Sequence, residues 1–120
     1  MKTGIELIAE ERQRQIDVEG YSEQHDSQHK TSEFIYAAIA YIESARIGVH
    51  CLELGNDDVS SILERKTEWG NACMPWKGAF KASTDVRDLV KAGALIAAAI
   101  DRLQKEPKAA EMAEKITKIL

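Results

Sequence analysis

The sequence predicts an all-α protein, a bundle of about four to five helices. Apolar residues recur at helical spacing in several segments. Aromatic residues make up only 6% of the chain, whereas the strands of sandwiches and barrels favour aromatic and β-branched types. A chain of 120 residues can bury a core as one domain without disulfides or structural metal. We therefore expect a single helical domain over residues 1–120, with a core at about 3–105 and a C-terminal helix at about 107–120.

Residues 3–18 are predicted to form the first helix, because apolar residues recur every three or four positions and Gly20 follows the pattern. Arg12, Gln15 and Glu19 share the apolar stripe, so we expect these polar side chains to point inward or to line a cleft. The stripe consists of Ile5, Ile8, Ala9 and Ile16.

The second helix is predicted to follow a polar loop over residues 21–30 and to run from Thr31 or Ser32 to about Arg46. Its small residues suit close packing between helices. The predicted inner face consists of Phe34, Ala37, Ala38, Tyr41 and Ala45.

The middle of the chain is interpreted as less regular. Residues 48–56 interrupt the helical pattern, and residues 57–66 favour a short helix opened by Asn56 or Asp57. Residues 69–82 are predicted to form a long loop, a kind of segment that is usually functional or disordered. Large apolar side chains argue against disorder there, namely Trp69, Met74, Trp76 and Phe80.

A third long helix is predicted after Ser83 or Thr84, and its segment 89–100 is apolar on every side except at Lys91. Such a helix belongs at the centre of a bundle or in the contact between copies of a homo-oligomer. Pro107 then opens a last amphipathic helix.

The bulk composition excludes some partners. A formal charge of −4 argues against a nucleic acid polymer, although an acidic protein can bind a free nucleotide through a divalent cation. Two cysteines, Cys51 and Cys73, fit free thiols in the cytoplasm. The longest apolar run, residues 92–100, is shorter than the ~20 residues that span a membrane.

The densest group of chemically active residues is Glu19 with His25, Asp26 and His29. Carboxylates and imidazoles bind metals and transfer protons, but a short polar loop also collects such residues by chance. Both interpretations stay open at this point.

Two further features suggest a phosphate site. Glu11 and Glu33, on neighbouring helices, could contribute oxygen ligands to Mg²⁺, although exposed acidic residues are normally solvated. Lys91 could extend to solvent along its aliphatic chain, or it could contact a phosphate or a buried carboxylate.

Several blocks of the chain together resemble a group of small phage and prophage proteins, which are distantly similar to the MazG-like all-α nucleoside triphosphate pyrophosphohydrolases. The resemblance covers about residues 5–103. The blocks are Ala9 to Gln15, Glu19-Gly20-Tyr21, His25-Asp26, His29, Ala37-Ala38, Tyr41, Pro75-Trp76, Arg87 to Ile96 and Ile100 to Leu103.

The resemblance implies an oligomeric, Mg²⁺-dependent helical enzyme that cleaves nucleoside triphosphates to monophosphate and pyrophosphate. Metal ligands in that superfamily come from a Glu-x-x-Glu and a Glu-x-x-Asp on successive helices. This chain has Glu10-x-x-Gln13 instead of the first pair, carries only Glu33 and Glu43 on the second helix, and has Ala99 where relatives tend to have Glu.

With the resemblance, candidate roles can be assigned. The metal ligands would be Glu11, Asp26 and Glu33, with Glu19 or a histidine of the His25/His29 pair preparing water. Arg12, Gln15 and Lys91 would bind the substrate, and Trp69 or Trp76 would stack on a base. The alternative is a non-catalytic phage or prophage accessory protein that binds a nucleotide or a host partner, and the missing carboxylate pairs favour it.

Overall fold

Five helices and no strand make up the part of the chain that the computed structural model describes, residues 1–18 and 29–120. The predicted all-α fold is confirmed. The helices are α1 (Gly4–Asp17), α2 (Thr31–Glu53), α3 (Val59–Cys73), α4 (Asp85–Gln104) and α5 (Pro107–Ile119). Helix α2 packs against α3 and α4, α1 packs against α4, and α5 packs against α4.

Helix α1 begins with a capping box, in which Thr3 and Glu6 each accept a hydrogen bond from the other's backbone N–H. Its predicted inner stripe is only partly right, because Ile5 is 82% exposed and Ala9 is also exposed. Ile8 lies instead against Gly93 of α4, where an added Cβ would be 2.6 Å from Ile8 Cδ1. This close approach turns a polar face of α1, the one that carries Gln15, toward the interior.

Helix α2 forms the centre of the core, and its predicted inner face is confirmed as buried. The predicted interruption at residues 48–56 is wrong, because the helix continues through Gly48 to Glu53. Gly48 is required for packing, since a Cβ there would lie 1.9 Å from Oδ1 of Asp85. The glycine therefore marks a close contact between elements rather than a helix end.

Helix α3 is longer than predicted and has a different cap. Asp58 caps it by accepting a hydrogen bond from the Ser61 N–H at 3.2 Å, and the helix continues through Gly70 to Cys73. The absence of a side chain at Gly70 makes room for the ring of Phe80, whose Cζ would lie 2.0 Å from an added Cβ. The loop is consequently shorter than predicted and covers residues 74–84.

A buried polar network joins α2, α3 and the start of α4. Nζ of Lys66 donates to Oδ1 of Asp85 at 2.5 Å and lies 3.1 Å from Oδ2 of Asp88. Oγ of Ser44 donates to the same Asp88 oxygen at 2.6 Å, and the Ser83 N–H donates to its other oxygen at 3.1 Å. Each buried charge thus has several partners, as burial away from water requires.

Helix α4 begins at Asp85 after the Thr84 cap, as predicted, and buries faces against both α2 and α1. Leu89, Ile96 and Ile100 stay exposed on it, so an association of copies through residues 89–100 stays a prediction. Helix α5 has no buried residue. No helix in residues 1–18 and 29–120 is long and apolar enough to cross a membrane.

We expect Gly70→Ala to lower the free energy of unfolding by about 1–3 kcal/mol, because the new methyl group would overlap the buried Phe80 ring. Urea denaturation would measure the change. Gly4→Ala is the matched control, since nothing lies within 4 Å of a Cβ there and alanine favours a helix. Equal stability of the two variants would contradict this account of Gly70.

Candidate anion-binding cleft

A cleft of about 110 Å³ opens between α1, α2, α4 and the loop over residues 74–84. Its described walls combine cationic, aromatic and amide side chains with one carboxylate. The described residues that line it are Glu11, Arg14 and Gln15 from α1, Tyr41 from α2, Met74, Trp76, Ala79 and Lys81 from the loop, and Lys91 and Leu95 from α4.

The loop over residues 74–84 is fixed by a turn and by the burial of Phe80. Ala79 N–H donates to the Trp76 carbonyl at 3.1 Å, and Gly78 supplies the positive φ of 77° that this turn needs. Phe80 then enters the core, where its ring centroid lies 5.0 Å from that of Tyr41. Anchoring Phe80 places Trp76 and Lys81, which lie on either side of it along the chain, at the cleft.

Glu11 is buried, and both of its carboxylate oxygens are fully engaged. Oε1 accepts a hydrogen bond from Nε of Arg14 at 2.8 Å and another from Nη2 of Arg87. Oε2 accepts from Nη2 of Arg14 at 2.7 Å and from Nε2 of Gln15 at 3.3 Å. These four donors match the roughly four lone-pair sites of a carboxylate. Glu11 therefore organises its neighbours and has little capacity left for a cation.

Burial opposes the negative charge of Glu11, but the hydrogen bonds from Arg14 and the positive charge of Arg87 outweigh it. The pKa of this carboxyl group consequently lies below the ordinary glutamate value. Glu11 stays ionised at neutral pH, which keeps Arg14 and Arg87 in place at the edge of the cleft.

Lys91 is a partly buried cation of the cleft. Its Nζ lies 5.3 Å from the centroid of the Tyr41 ring, so the ring face helps to hold the ammonium group. Burial, and then the nearby positive charge of Arg87, lower the pKa of Lys91 below the ordinary lysine value. An anion in the cleft would relieve this repulsion.

A second cluster adjoins the cleft through Trp76. Nε1 of the Trp76 indole donates to Oε1 of Glu33 at 3.1 Å, and the same oxygen lies 3.5 Å from Nδ1 of His29. The hydrogen bond from the Lys30 N–H, followed by those from Trp76 and His29, lowers the pKa of Glu33. The Trp76 ring also packs against His29 and Phe34, with both centroid distances 5.2 Å.

The structure brings together some of the predicted site residues and separates others. Glu11, Gln15, Lys91 and Trp76 line the cleft, and Glu33 with His29 contacts Trp76. Arg12 lies elsewhere, 3.9 Å from Asp101, and Trp69 is 53% exposed and does not line the cleft. The remaining predictions lie outside the described residues: Glu19, His25 and Asp26.

The sequence did not predict four residues of the site: Arg14, Tyr41 as a cleft residue, Lys81 and Arg87. The position of Arg14 three residues after Glu11 was a usable signal, because such residues are neighbours on a helix. Arg87 is separated from Glu11 by 76 positions, and no local pattern points to that contact.

The predicted ligands of the Mg²⁺ site are Glu11, Asp26 and Glu33. Among residues 1–18 and 29–120, no three His, Cys, Asp or Glu side chains are grouped as a metal would require. Glu11 is a poor candidate for a metal ligand, because hydrogen-bond donors already occupy both of its oxygens. Fewer donors contact the carboxylate of Glu33. With Asp26 outside the described residues, the Mg²⁺ site stays a prediction.

We expect Glu11→Gln to lower the free energy of unfolding at pH 7 by about 2 kcal/mol, because an amide cannot accept from all four donors. The pKa of Glu11 is lowered by folding, so its contribution is complete above the ordinary glutamate pKa and is lost as the pH falls through the lower folded value. Urea denaturation should therefore show the two proteins converging in acid.

Glu10→Gln is the matched control, because the Glu10 carboxylate is exposed, pairs with Lys2 at 2.6 Å and should contribute less than about 0.5 kcal/mol. A Glu11→Gln protein as stable as this control at pH 7 would contradict the organising role of Glu11.

Comparisons with family models, with curated proteins and with solved structures find no match to this chain. The resemblance to phage proteins and to MazG-like enzymes accordingly stays a prediction.

Proposed function

We propose that this protein binds a nucleotide, or a closely similar phosphorylated small molecule, by holding its phosphate group in the cleft without turnover. The observation that carries the proposal is the charge of the site. Arg14, Lys81 and Lys91 line the cleft, and Glu11, whose carboxylate is shared between Arg14 and Arg87, lines it as well. Among the described residues that line the cleft, three cationic side chains therefore accompany one carboxylate, a composition that suits an anion.

The chemistry of these side chains suits phosphate. Lysine binds phosphate as a compact point charge, and the Lys91 ammonium group is already partly withdrawn from water, so its attraction for an anion is weakly screened. No divalent cation is needed for this mode of binding. An acidic protein can thus hold a nucleotide directly, because several positive charges lie together at the cleft.

The size of the cleft limits how much of the ligand it encloses. A volume of about 110 Å³ is well below the ~300–1,000 Å³ of pockets that bury a drug-sized molecule. The phosphate end would occupy the cleft, and the rest of the nucleotide would extend past Trp76. The indole ring offers a surface on which a base can stack.

We expect Lys91→Met to weaken the binding of ATP at least tenfold, because it removes a charge-assisted hydrogen bond in a partly desolvated site. Isothermal titration at low salt, with EDTA present, would measure the dissociation constant. Lys77→Met is the matched control, since Lys77 is exposed and does not line the cleft. Unchanged affinity in Lys91→Met, or no binding by the wild-type protein, would refute the proposal.

A second candidate is Mg²⁺-dependent hydrolysis of the bound nucleoside triphosphate to monophosphate and pyrophosphate. The observation that favours it is the Glu33 carboxylate, which stays ionised beside His29 and contacts Trp76 at the cleft. Such a carboxylate could carry Mg²⁺ close to the phosphates, with Asp26 as a further ligand. Glu19 and His25 would then be candidates for activating water.

Pyrophosphate release from a panel of nucleoside triphosphates would test this candidate, with Mg²⁺ or Mn²⁺ and with EDTA as the control. We expect Glu33→Gln to reduce any metal-dependent release at least a hundredfold. Glu43→Gln on the same helix is the matched control, because Glu43 pairs with Arg46. If the protein binds nucleotides but releases no pyrophosphate with Mg²⁺ or Mn²⁺, hydrolysis would be refuted and the binding function would stand.

A further inference from the structure

We propose that Gln15 determines specificity by accepting a hydrogen bond from an O–H group of the ligand, next to the phosphate. The inference rests on the proposed binding of a phosphorylated ligand in the cleft and adds the kind of group that must accompany the phosphate.

The side chain of Gln15 is buried and forms part of the cleft wall. The residue is 3% exposed and lines the cavity, and its Oε1 has no hydrogen-bond partner among the residues that the structure describes. Buried polar atoms in folded proteins nearly always have a partner, and leaving one unpaired costs about 1–3 kcal/mol. An unpartnered acceptor on a side chain that lines a binding cleft is therefore well suited to a ligand.

The orientation of this amide is fixed by Glu11. Nε2 of Gln15 donates to Oε2 of Glu11 at 3.3 Å. Rotating the amide by half a turn would place its oxygen against a carboxylate oxygen, and neither atom could donate. Glu11 thus keeps the amide carbonyl, rather than the amide NH₂ group, available to the ligand.

The acceptor also lies beside the cations. Arg14 Nη2 donates to the same Glu11 oxygen at 2.7 Å, so the guanidinium of Arg14 and the amide of Gln15 meet at one atom. A phosphate held by the cations would consequently have the Gln15 carbonyl as a close neighbour. An unprotonated phosphate oxygen would be repelled by that carbonyl, whereas an O–H group would bond to it.

Two parts of a nucleotide can present such a group close to the phosphate: a sugar hydroxyl and a protonated phosphate oxygen. In both cases a ligand that lacks the O–H leaves the buried carbonyl unpaired. A site built to bond a hydroxyl group rejects the analogue without it, for this reason. Gln15 would therefore select within the class of phosphorylated ligands and contribute little to the attraction for bare negative charge.

Isothermal titration with EDTA present would test the proposal with two sets of probes. The first set is adenosine 5′-monophosphate with its 2′-deoxy and 2′,3′-dideoxy forms, which lack sugar hydroxyl groups. The second set is inorganic phosphate, which carries an O–H group at neutral pH, and sulfate, which carries none. We expect the wild-type protein to prefer the O–H-bearing member of at least one set by about tenfold. A preference in the first set assigns the group to the sugar, and one in the second assigns it to the phosphate.

We expect Gln15→Met to bring that ratio close to one, because the variant removes the acceptor. Gln13→Met is the matched control, because Gln13 lies on the exposed face of the same helix and bonds to Asp17 at 2.9 Å. Thermal unfolding would verify that both variants fold.

Ratios near one in the wild-type protein would overturn the inference even if Gln15→Met fails to fold. A wild-type preference that survives in folded Gln15→Met would also overturn it. In both cases the binding of phosphate probes would still stand and the proposed function with it. Failure of the wild-type protein to bind any probe would refute the proposed function, and this inference would fall with it.

Discussion

The buried carboxylate of Glu11 is the interaction on which the cleft depends. A charge in the interior is costly unless its hydrogen-bonding capacity is filled, and Arg14, Arg87 and Gln15 together fill it. The same bonds join α1 to α4, set the direction of the Gln15 amide and hold two guanidinium groups at the edge of the cavity. The contacts that offset the cost of burying Glu11 therefore also position the side chains around the cleft.

Two adjacent residues of α4 fix the rotation of this helix about its own axis. They contact buried groups of opposite charge. Arg87 reaches the buried carboxylate of Glu11, while Asp88 reaches the buried ammonium group of Lys66. Neighbouring side chains point about 100° apart around a helix, so satisfying both networks leaves little freedom to turn. Lys91 lies one turn after Arg87 on the same face and is therefore presented to Tyr41 and the cleft.

Helical periodicity was enough to predict the fold class, the inner face of α2 and the start of α4. It failed at Gly48 and Gly70, because a local pattern cannot distinguish a glycine that ends a helix from one that admits a distant side chain. Part of the site could be predicted from the sequence, because Gln15 lies beside the predicted apolar stripe of α1 and Lys91 is the one charge in an apolar segment. The role of Glu11 could not, since it depends on Arg87, a partner far along the chain.

The packing of α2 against α4 has a consequence for the mechanical character of the cleft. Much of the buried contact consists of alanines, which have no side-chain torsions through which a neighbour could be accommodated. The two walls that carry Tyr41 and Lys91 cannot move apart by small rotamer adjustments. Adaptation to differently shaped ligands must come from the long lysine and arginine chains, so the cavity behaves as a stiff frame with a compliant charged lining.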